Sequence, residues 1–477
     1  MSILLVLSVM VLILNTLFSL SLVFIERKDP TTTWAWLLIL LVLPGFGFII
    51  YIILGQNLSR QKIFKEKIRV DEDKRKNIND KYEGSIHQHD GGERFSDLRK
   101  MNFNNSGAKY TTNNNANVYV NGEDKFKQLI EDIKNAKRYI HMEYYIFKND
   151  IIGKIIIKEL TKKAESGLEV RLLVDSMGSR KLTKRATKKY IDAGGKFSIF
   201  FPGIVPHINT RINYRNHRKI VVIDGQYGYV GGYNVGKEYI NKDPEVGFWR
   251  DTHVRIQGDA VEELNERFLL DWCYAADEEI EDYDKYSSKD NKDLGDVGIQ
   301  IVTSGPDHKE QYIRNAYIKL INNAKENLYL ETPYLVPDSP ILESLKISAL
   351  SGVDVRIIIP GKPDHFYMQW AASSYIGELI DAGIKIYNYQ NGFIHAKTIV
   401  ADSTVISIGT ANLDIRSFRL NFEVNAFIFD DRIAKEGEIQ FMKDIEDSEE
   451  ITKEIYDNRS IIIRIKESLI RLVSPIL

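Results

Sequence analysis

From Ser2 to Ile25 the chain carries no charged side chain. As a helix that run is about 36 Å long, enough to cross a hydrocarbon core of about 30 Å. A second charge-free apolar run, Trp34 to Leu54, has Trp34 and Trp36 at one end and Tyr51 at the other as interfacial anchors. Pro44 and Gly45 predict a bend in it. A cleavable signal peptide would need a basic n-region, a shorter apolar core and no second span directly behind it. Residues 1–57 therefore read as a membrane hairpin with spans at about 2–25 and 34–54. Between the runs Arg27 and Lys28 are offset by Glu26 and Asp29, whereas Arg60, Lys62, Lys65, Lys67 and Arg69 follow the second. The positive-inside rule predicts the short loop outside and the remaining chain on the cytoplasmic face of a cell membrane.

Residues 58–117 are charged, then rich in asparagine, and carry no sustained apolar period, which predicts a linker. Helical and strand periods alternate from Val118: an amphipathic helix over Phe126 to Ala136, a strand over Tyr139 to Phe147, a helix over Ile151 to Glu165 and an apolar strand over Glu169 to Asp175. The order then returns. AKRYIHMEYY from Ala136 is echoed by AKENLYLETPY from Ala324, and GLEVRLLVD from Gly167 by GVDVRIIIP from Gly352. AGGKFSIF from Ala193 is echoed by AGIKIYNY from Ala382. A repeat this long is no solenoid, so two similar α/β halves are expected, 118–276 and 297–450, joined by an acidic connector at 277–296. Residues 451–477 form an amphipathic segment, read as a packing helix ahead of a membrane-surface helix.

With 64 basic and 66 acidic residues in 477, no charge excess drives general nucleic-acid binding, so any anion site is local. A single cysteine, Cys273, excludes an internal disulfide framework, a Cys-rich zinc site and a CxxC redox pair. His87, His89 and Asp90 have metal-ligand chemistry, but they sit in the linker and read as a solvated loop.

The histidines within the halves carry more information. The first half contains NHRKIVVIDGQYGYVGGYN, with His217, Lys219, Asp224, Gly231, Gly232 and Asn234. The second contains IHAKTIVADSTVISIGTAN, with His395, Lys397, Asp402, Gly409, Thr410 and Asn412 at identical spacing. One such pattern arises by chance in roughly 2 chains per 10,000, and two in about 1 per 10⁸. Residues two apart on a strand share a face, so imidazole and ammonium can meet one substrate atom together. Two histidines can divide labour between nucleophile and general acid, and two ammoniums with two amides suit a phosphorane carrying extra negative charge. The set fits phosphodiester chemistry through a phosphohistidine. P-loop, H-E-x-x-H and G-x-S-x-G motifs are absent from the sequence.

These paired motifs resemble the phospholipase D superfamily. The whole chain resembles its bacterial cardiolipin synthases, through TTTWAW at Thr31 to Trp36, NLDIRSF at Asn412 to Phe418, NFEVN at Asn421 to Asn425 and the terminal RLVSPIL. The second motif departs from the first in having Gly-Thr for Gly-Gly. The resemblance implies two phospholipase D-like halves, mixed β-sheets flanked by helices, related by a pseudo-twofold axis with one shared site. It implies His217 as nucleophile and His395 as general acid, then base, with Lys219, Lys397, Asn234 and Asn412 holding phosphate oxygens. Each imidazole needs an orienting carboxylate on its other nitrogen. Asp251 and Glu423, 34 and 28 residues beyond their histidines and at matching places in the repeats, are assigned that role. Asp224 and Asp402 complete the motif set but read as structural, since a carboxylate facing a phosphate would repel it.

The implied substrate is phosphatidylglycerol in a lipid bilayer: a phosphatidyl group passes to His217, glycerol leaves, and a second phosphatidylglycerol accepts it to give cardiolipin, with no cofactor, metal or nucleic acid. Two spans favour a lipid substrate over a nuclease's. Arg180, Lys181, Lys184, Arg185, Lys188 and Lys189, with Arg211, Arg215 and Arg218, are candidates for anionic headgroups or one solvated face. The alternatives are a membrane phospholipase D hydrolysing headgroups, a phosphatidyltransferase using another alcohol, and a silent lipid-binding scaffold. The intact residues of both motifs argue against the last.

Overall fold

The computed structural model describes residues 3–26, 30–51, 64–65, 67–69, 71, 94–201, 213–245, 247–280, 282–287 and 294–474. His87, His89, Asp90 and Arg211 lie outside them.

Both halves are built on the same mixed sheet. In the first, the strands run Asn114–Tyr119, His253–Gly258, Tyr227–Gly231, Ile220–Ile223, Tyr139–Tyr144, Glu169–Asp175 and Lys196–Phe200 in spatial order. The last three are parallel, and the others pair antiparallel. In the second, Gly298–Ser304, Asn421–Phe429, Val405–Gly409, Thr398–Ala401, Asn327–Glu331, Asp354–Pro360 and Lys385–Tyr389 repeat that order. Tyr110–Thr111 and Ser448–Glu450 extend the two edges of this sheet.

Local signals set the helices. Gly122–Asn135 starts where the Asn121 side chain accepts from the Glu123 amide. Its Phe126, Leu129 and Ile133 fall on one buried stripe. Ile151–Glu165 is capped in the same way by Asp150. The helices Ala260–Ala276 and Asp431–Glu446 contribute Leu264, Phe268, Ile433 and Phe441 to a core shared by the two sheets. In that core Val222, Val230 and Val254 of the first half join Ile301, Ile406, Ile408 and Val424 of the second. Burying apolar surface from both halves together holds the segments that carry the motif histidines in fixed register.

The 58–117 linker expectation needs correction from residue 94 onward. Ser96–Ser106 is a helix, and the segments after it add a strand to each sheet. Two of the asparagines that suggested a polar linker are buried hydrogen-bonding residues: Asn102 donates to Gln300 Oε1 (3.0 Å), and Asn114 donates to the Val297 carbonyl (3.0 Å).

At the N-terminus, Leu5–Ile25 has mean hydropathy 2.3 and is the one helix among the described residues long and apolar enough to cross a membrane. The second apolar run is broken into Pro30–Val42 and Phe46–Ile50. Pro44 supplies no amide hydrogen, and Gly45 turns to φ 85°. The first piece is about 20 Å long, too short to span alone. Trp36, Leu40 and Tyr51 pack with Leu22 and Phe18, and Asn15 donates to the Leu40 carbonyl (3.1 Å).

Candidate active site

Each motif histidine is delivered by a two-residue strand that crosses to the other half. Arg215–Asn216 pairs in parallel with Asn421 and Phe422, and the His217 amide donates to the Phe422 carbonyl (2.9 Å). Phe393–Ile394 pairs in parallel with Trp249–Arg250, and the His395 amide donates to the Arg250 carbonyl (2.6 Å). Both imidazoles therefore arrive at the interface between the halves.

The orienting carboxylates are present, but they are exchanged between the halves. His217 Nδ1 donates to Glu423 (2.9 and 3.0 Å), and His395 Nδ1 donates to Asp251 (2.6 Å). The match of Asp251 to His217 and Glu423 to His395 by sequence position is thus corrected. Glu423 lies on the strand that the His217 segment joins, and Asp251 directly follows the strand that the His395 segment joins. With the proton on Nδ1, each Nε2 presents a lone pair when the ring is neutral. Both carboxylates are fully buried, while each histidine keeps 8% of its surface exposed.

Burial pulls both histidines down to about 4; the carboxylates oppose this, and the neighbouring lysine ammoniums add to it. Lys219 and Lys397 are themselves lowered by burial, to about 7 and about 8, against the raising influence of Glu423 and Asp251. Lys397 bears on His217 and Lys219 on His395, so the four groups share one field across the interface. Lys219 Nζ donates to the His217 carbonyl (2.7 Å), and Lys397 makes the same bond to the His395 carbonyl. Tyr145 stands against the His217 ring at 4.8 Å and Trp249 against the His395 ring at 5.2 Å.

The motif aspartates lie in turns, away from this cluster. Asp224 (φ 58°) accepts from the amides of Lys137, Arg138 and Tyr139, and Asp402 (φ 53°) from those of Lys325, Glu326 and Asn327. Each clamps the start of its half's first parallel strand. Asn234 accepts from the Ile146 amide and donates to Tyr239, while Asn412 donates to Asp414, so both amides brace loops at the site. Gly232 is required by close approach, since a Cβ there would lie 1.9 Å from an Asp251 carboxylate oxygen. At the equivalent position the Thr410 hydroxyl instead donates to the Val424 carbonyl (3.2 Å) and accepts from the Val424 amide (2.9 Å).

Several positioning residues were not read from the sequence. Asp175 accepts from the Asn216 amide (3.0 Å), fixing the approach to His217; its place at the end of the repeated GLEVRLLVD strand was the available signal. Arg250 donates to Asp444 (2.9 Å) and to the Asp251 carbonyl (2.7 Å), holding the carboxylate that serves His395. Arg218 is turned inward onto Asp271 (2.5 Å) and Arg215 is buried, so neither is a solvent-facing headgroup ligand. Arg180, Lys181, Lys184, Arg185, Lys188 and Lys189 are exposed.

The duplicated fold, with one histidine–lysine pair from each half meeting at the interface, defines a phospholipase D-like protein. The family described as "Cardiolipin synthase, PLD-like domain" matches residues 129–272 and 317–445, and "Phospholipase_D-nuclease N-terminal" matches residues 13–56. The chain is 52% identical over 457 residues to a cardiolipin synthase of Clostridium perfringens (strain SM101 / Type A), covering 95% of this chain and 96% of that one. It is 47% identical over 473 residues to a cardiolipin synthase of Staphylococcus aureus (strain N315), covering 98% and 95%. The phosphatidylserine synthase of Haemophilus influenzae shares the fold at 16% identity, with a TM-score of 0.58 over 80% of this chain and 100% of that one. The chain belongs to the cardiolipin synthase family.

Proposed function

We propose that this chain makes cardiolipin from two molecules of phosphatidylglycerol by way of a phosphohistidine. The observation that carries the mechanism is the crossed pair of histidine–carboxylate contacts, each with a buried lysine beside it. A phosphodiester anion between Lys219 and Lys397 supplies the counter-charge that burial withholds, lifting lysines and histidines back toward their usual values. His217 Nε2 attacks phosphorus, the P–O bond to the leaving glycerol breaks, and His395 gives that oxygen its proton. Glu423 stabilises the positive ring that results. His395 then takes the proton of a second phosphatidylglycerol's terminal hydroxyl, whose oxygen displaces His217 and restores it. Lys219 and Lys397 carry the charge of each phosphorane, with Asn234 and Asn412 shaping the loops around it.

The test is a product assay in phosphatidylglycerol vesicles with EDTA present. Cardiolipin and glycerol in equal amounts are expected; phosphatidic acid as main product would make this a hydrolase whose acceptor site admits water.

For placement in the membrane we propose a cytoplasmic catalytic body, as the basic residues after residue 57 predict. Two membrane arrangements fit. The hairpin puts the loop at residues 29–33 outside. A single crossing by Leu5–Ile25, with Pro30–Val42 and Phe46–Ile50 re-entering from the cytoplasmic face, is favoured by the 3.5 Å contact of Arg419 with the Thr32 hydroxyl. An impermeant thiol reagent added outside, with Cys273 replaced and a cysteine at Thr33, labels the hairpin and leaves the single-crossing form unlabelled.

A further inference from the structure

The helix Ile461–Val473 is amphipathic in the inverse sense for a soluble protein. Its one buried side chain is Glu467, which accepts from Arg459 (3.1 Å). On the same side Arg471 donates to the Ser374 carbonyl (2.8 Å), and the Ser474 hydroxyl bonds Tyr375 (2.8 Å). Polar groups thus dock this helix on Phe366–Asp381. Ile461, Ile462, Ile465, Leu469 and Leu472 instead face outward, each more than half exposed. The helix does pack, through Arg471 and Ser474 with the half-buried Ile470, and it leaves the apolar residues of its opposite side open.

The apolar surface continues toward the active site. Lys466 Nζ lies over the Trp370 ring (4.6 Å), and Trp370 meets Phe366 at 5.1 Å. Phe366, 66% exposed, stands two residues beyond Asp364, which accepts from the Tyr334 hydroxyl, and Leu335 and Val336 directly after Tyr334 pair in parallel with Leu413 and Asp414, next to Asn412 of the second motif.

We propose that this helix and Phe366 form a second membrane contact, an interfacial surface that lies in the headgroup region of an anionic bilayer beside the mouth of the active site. Three observations select a bilayer as occupant. Leu5–Ile25 is apolar and long enough to hold the chain at a membrane. Arg464 and Lys466 are exposed on the helix, complementary to anionic lipid. A second copy seated on the same face would bring those cations against their own equivalents. The purpose of the contact rests on the lipid-substrate reading above, since it holds the site where two phosphatidylglycerol headgroups can enter; the contact itself does not depend on activity.

The test uses the full-length protein in phosphatidylglycerol-containing vesicles, with Cys273 replaced by Ser and a polarity-sensitive fluorophore on Ile465→Cys or Leu469→Cys. An insertion depth of about 5–10 Å predicts strong quenching by lipids spin-labelled near the headgroup. The same fluorophore on Glu131→Cys, exposed on the helix Gly122–Asn135, should not be quenched. The double variant Ile465→Ser with Leu469→Ser should lose about tenfold in turnover on vesicles and keep full turnover on dispersed short-chain phosphatidylglycerol. Probes at 465 and 469 that stay as water-exposed as the control would overturn the proposal. So would concentration-dependent cross-linking between copies through those positions. Quenching in a protein that makes no cardiolipin would leave the contact standing and remove the synthase reading instead.

Discussion

Replacing Glu423 by Gln keeps the size of the side chain and removes the charge that faces His217 Nδ1 at 2.9 Å. A unit charge about 4 Å from the ring, at an effective dielectric of about 20, is worth about 4 kcal/mol, or roughly 10³ in rate. Losing the tautomer as well takes a comparable histidine–carboxylate pair to about 10⁴. Glu423→Gln should therefore slow phosphatidyl transfer to His217 by about 10³- to 10⁴-fold. Asp251→Asn removes the partner of His395 and should slow overall turnover similarly, but at different steps. The assay that separates them uses a phosphatidyl ester of p-nitrophenol, whose leaving group departs without a general acid. Asp251→Asn should then show a burst of p-nitrophenolate with accumulation of phosphoenzyme, because the first step no longer needs His395 and the second still does. Glu423→Gln should show no burst. The reverse pattern would exchange the roles of the two histidines. Near-normal turnover in either variant would remove the crossed contacts from the mechanism.

His217→Ala and His395→Ala should each abolish cardiolipin formation from phosphatidylglycerol, loss of acid–base catalysis alone giving about 10²- to 10⁴-fold and loss of the nucleophile more; activity in either would refute a shared site. Lys219 and Lys397, lowered to about 7 and about 8, must be protonated to hold a phosphodiester anion. Binding therefore takes up protons once pH exceeds those values, and KM should rise with pH above about 8, with the steepest limb approaching two protons; a KM flat to about pH 10 would contradict this. Asp402→Ala leaves three strand-start amides without their acceptor. It should destabilise the protein by about 3 kcal/mol, read as faster thermal inactivation, while the surviving folded fraction keeps its kcat.

The paired motifs were legible because both halves write them with one spacing, and strand geometry turns that spacing into a shared face. The turn aspartates were legible for the same reason, as positions whose charge does not suit a phosphate. The exchange of Glu423 and Asp251 was not. Sequence distance ranks partners within a repeat, whereas His217 and His395 are carried across the interface by two-residue strands too short to leave a period. Asn102 and Asn114 were misread because solvated and buried amides have the same composition and differ only in their tertiary acceptors. In the last helix the amphipathic period was readable, but which side meets the protein depends on Arg471 and Ser474 finding Ser374 and Tyr375. The break in the second apolar run was written in Pro44 and Gly45.

The crossing of the carboxylates has a genetic consequence. A chain lacking His217 and a chain lacking His395 each retain one complete dyad, and each such dyad already draws on both halves of its own chain. Mixing the two mutant proteins restores nothing while each chain keeps its halves together. Rescue requires the first half of one polypeptide to close on the second half of another, bringing an intact His217 to an intact His395. Any activity recovered in such a mixture would count exchanged halves directly, so complementation between two dead alleles becomes a measure of how firmly a single chain stays folded on itself.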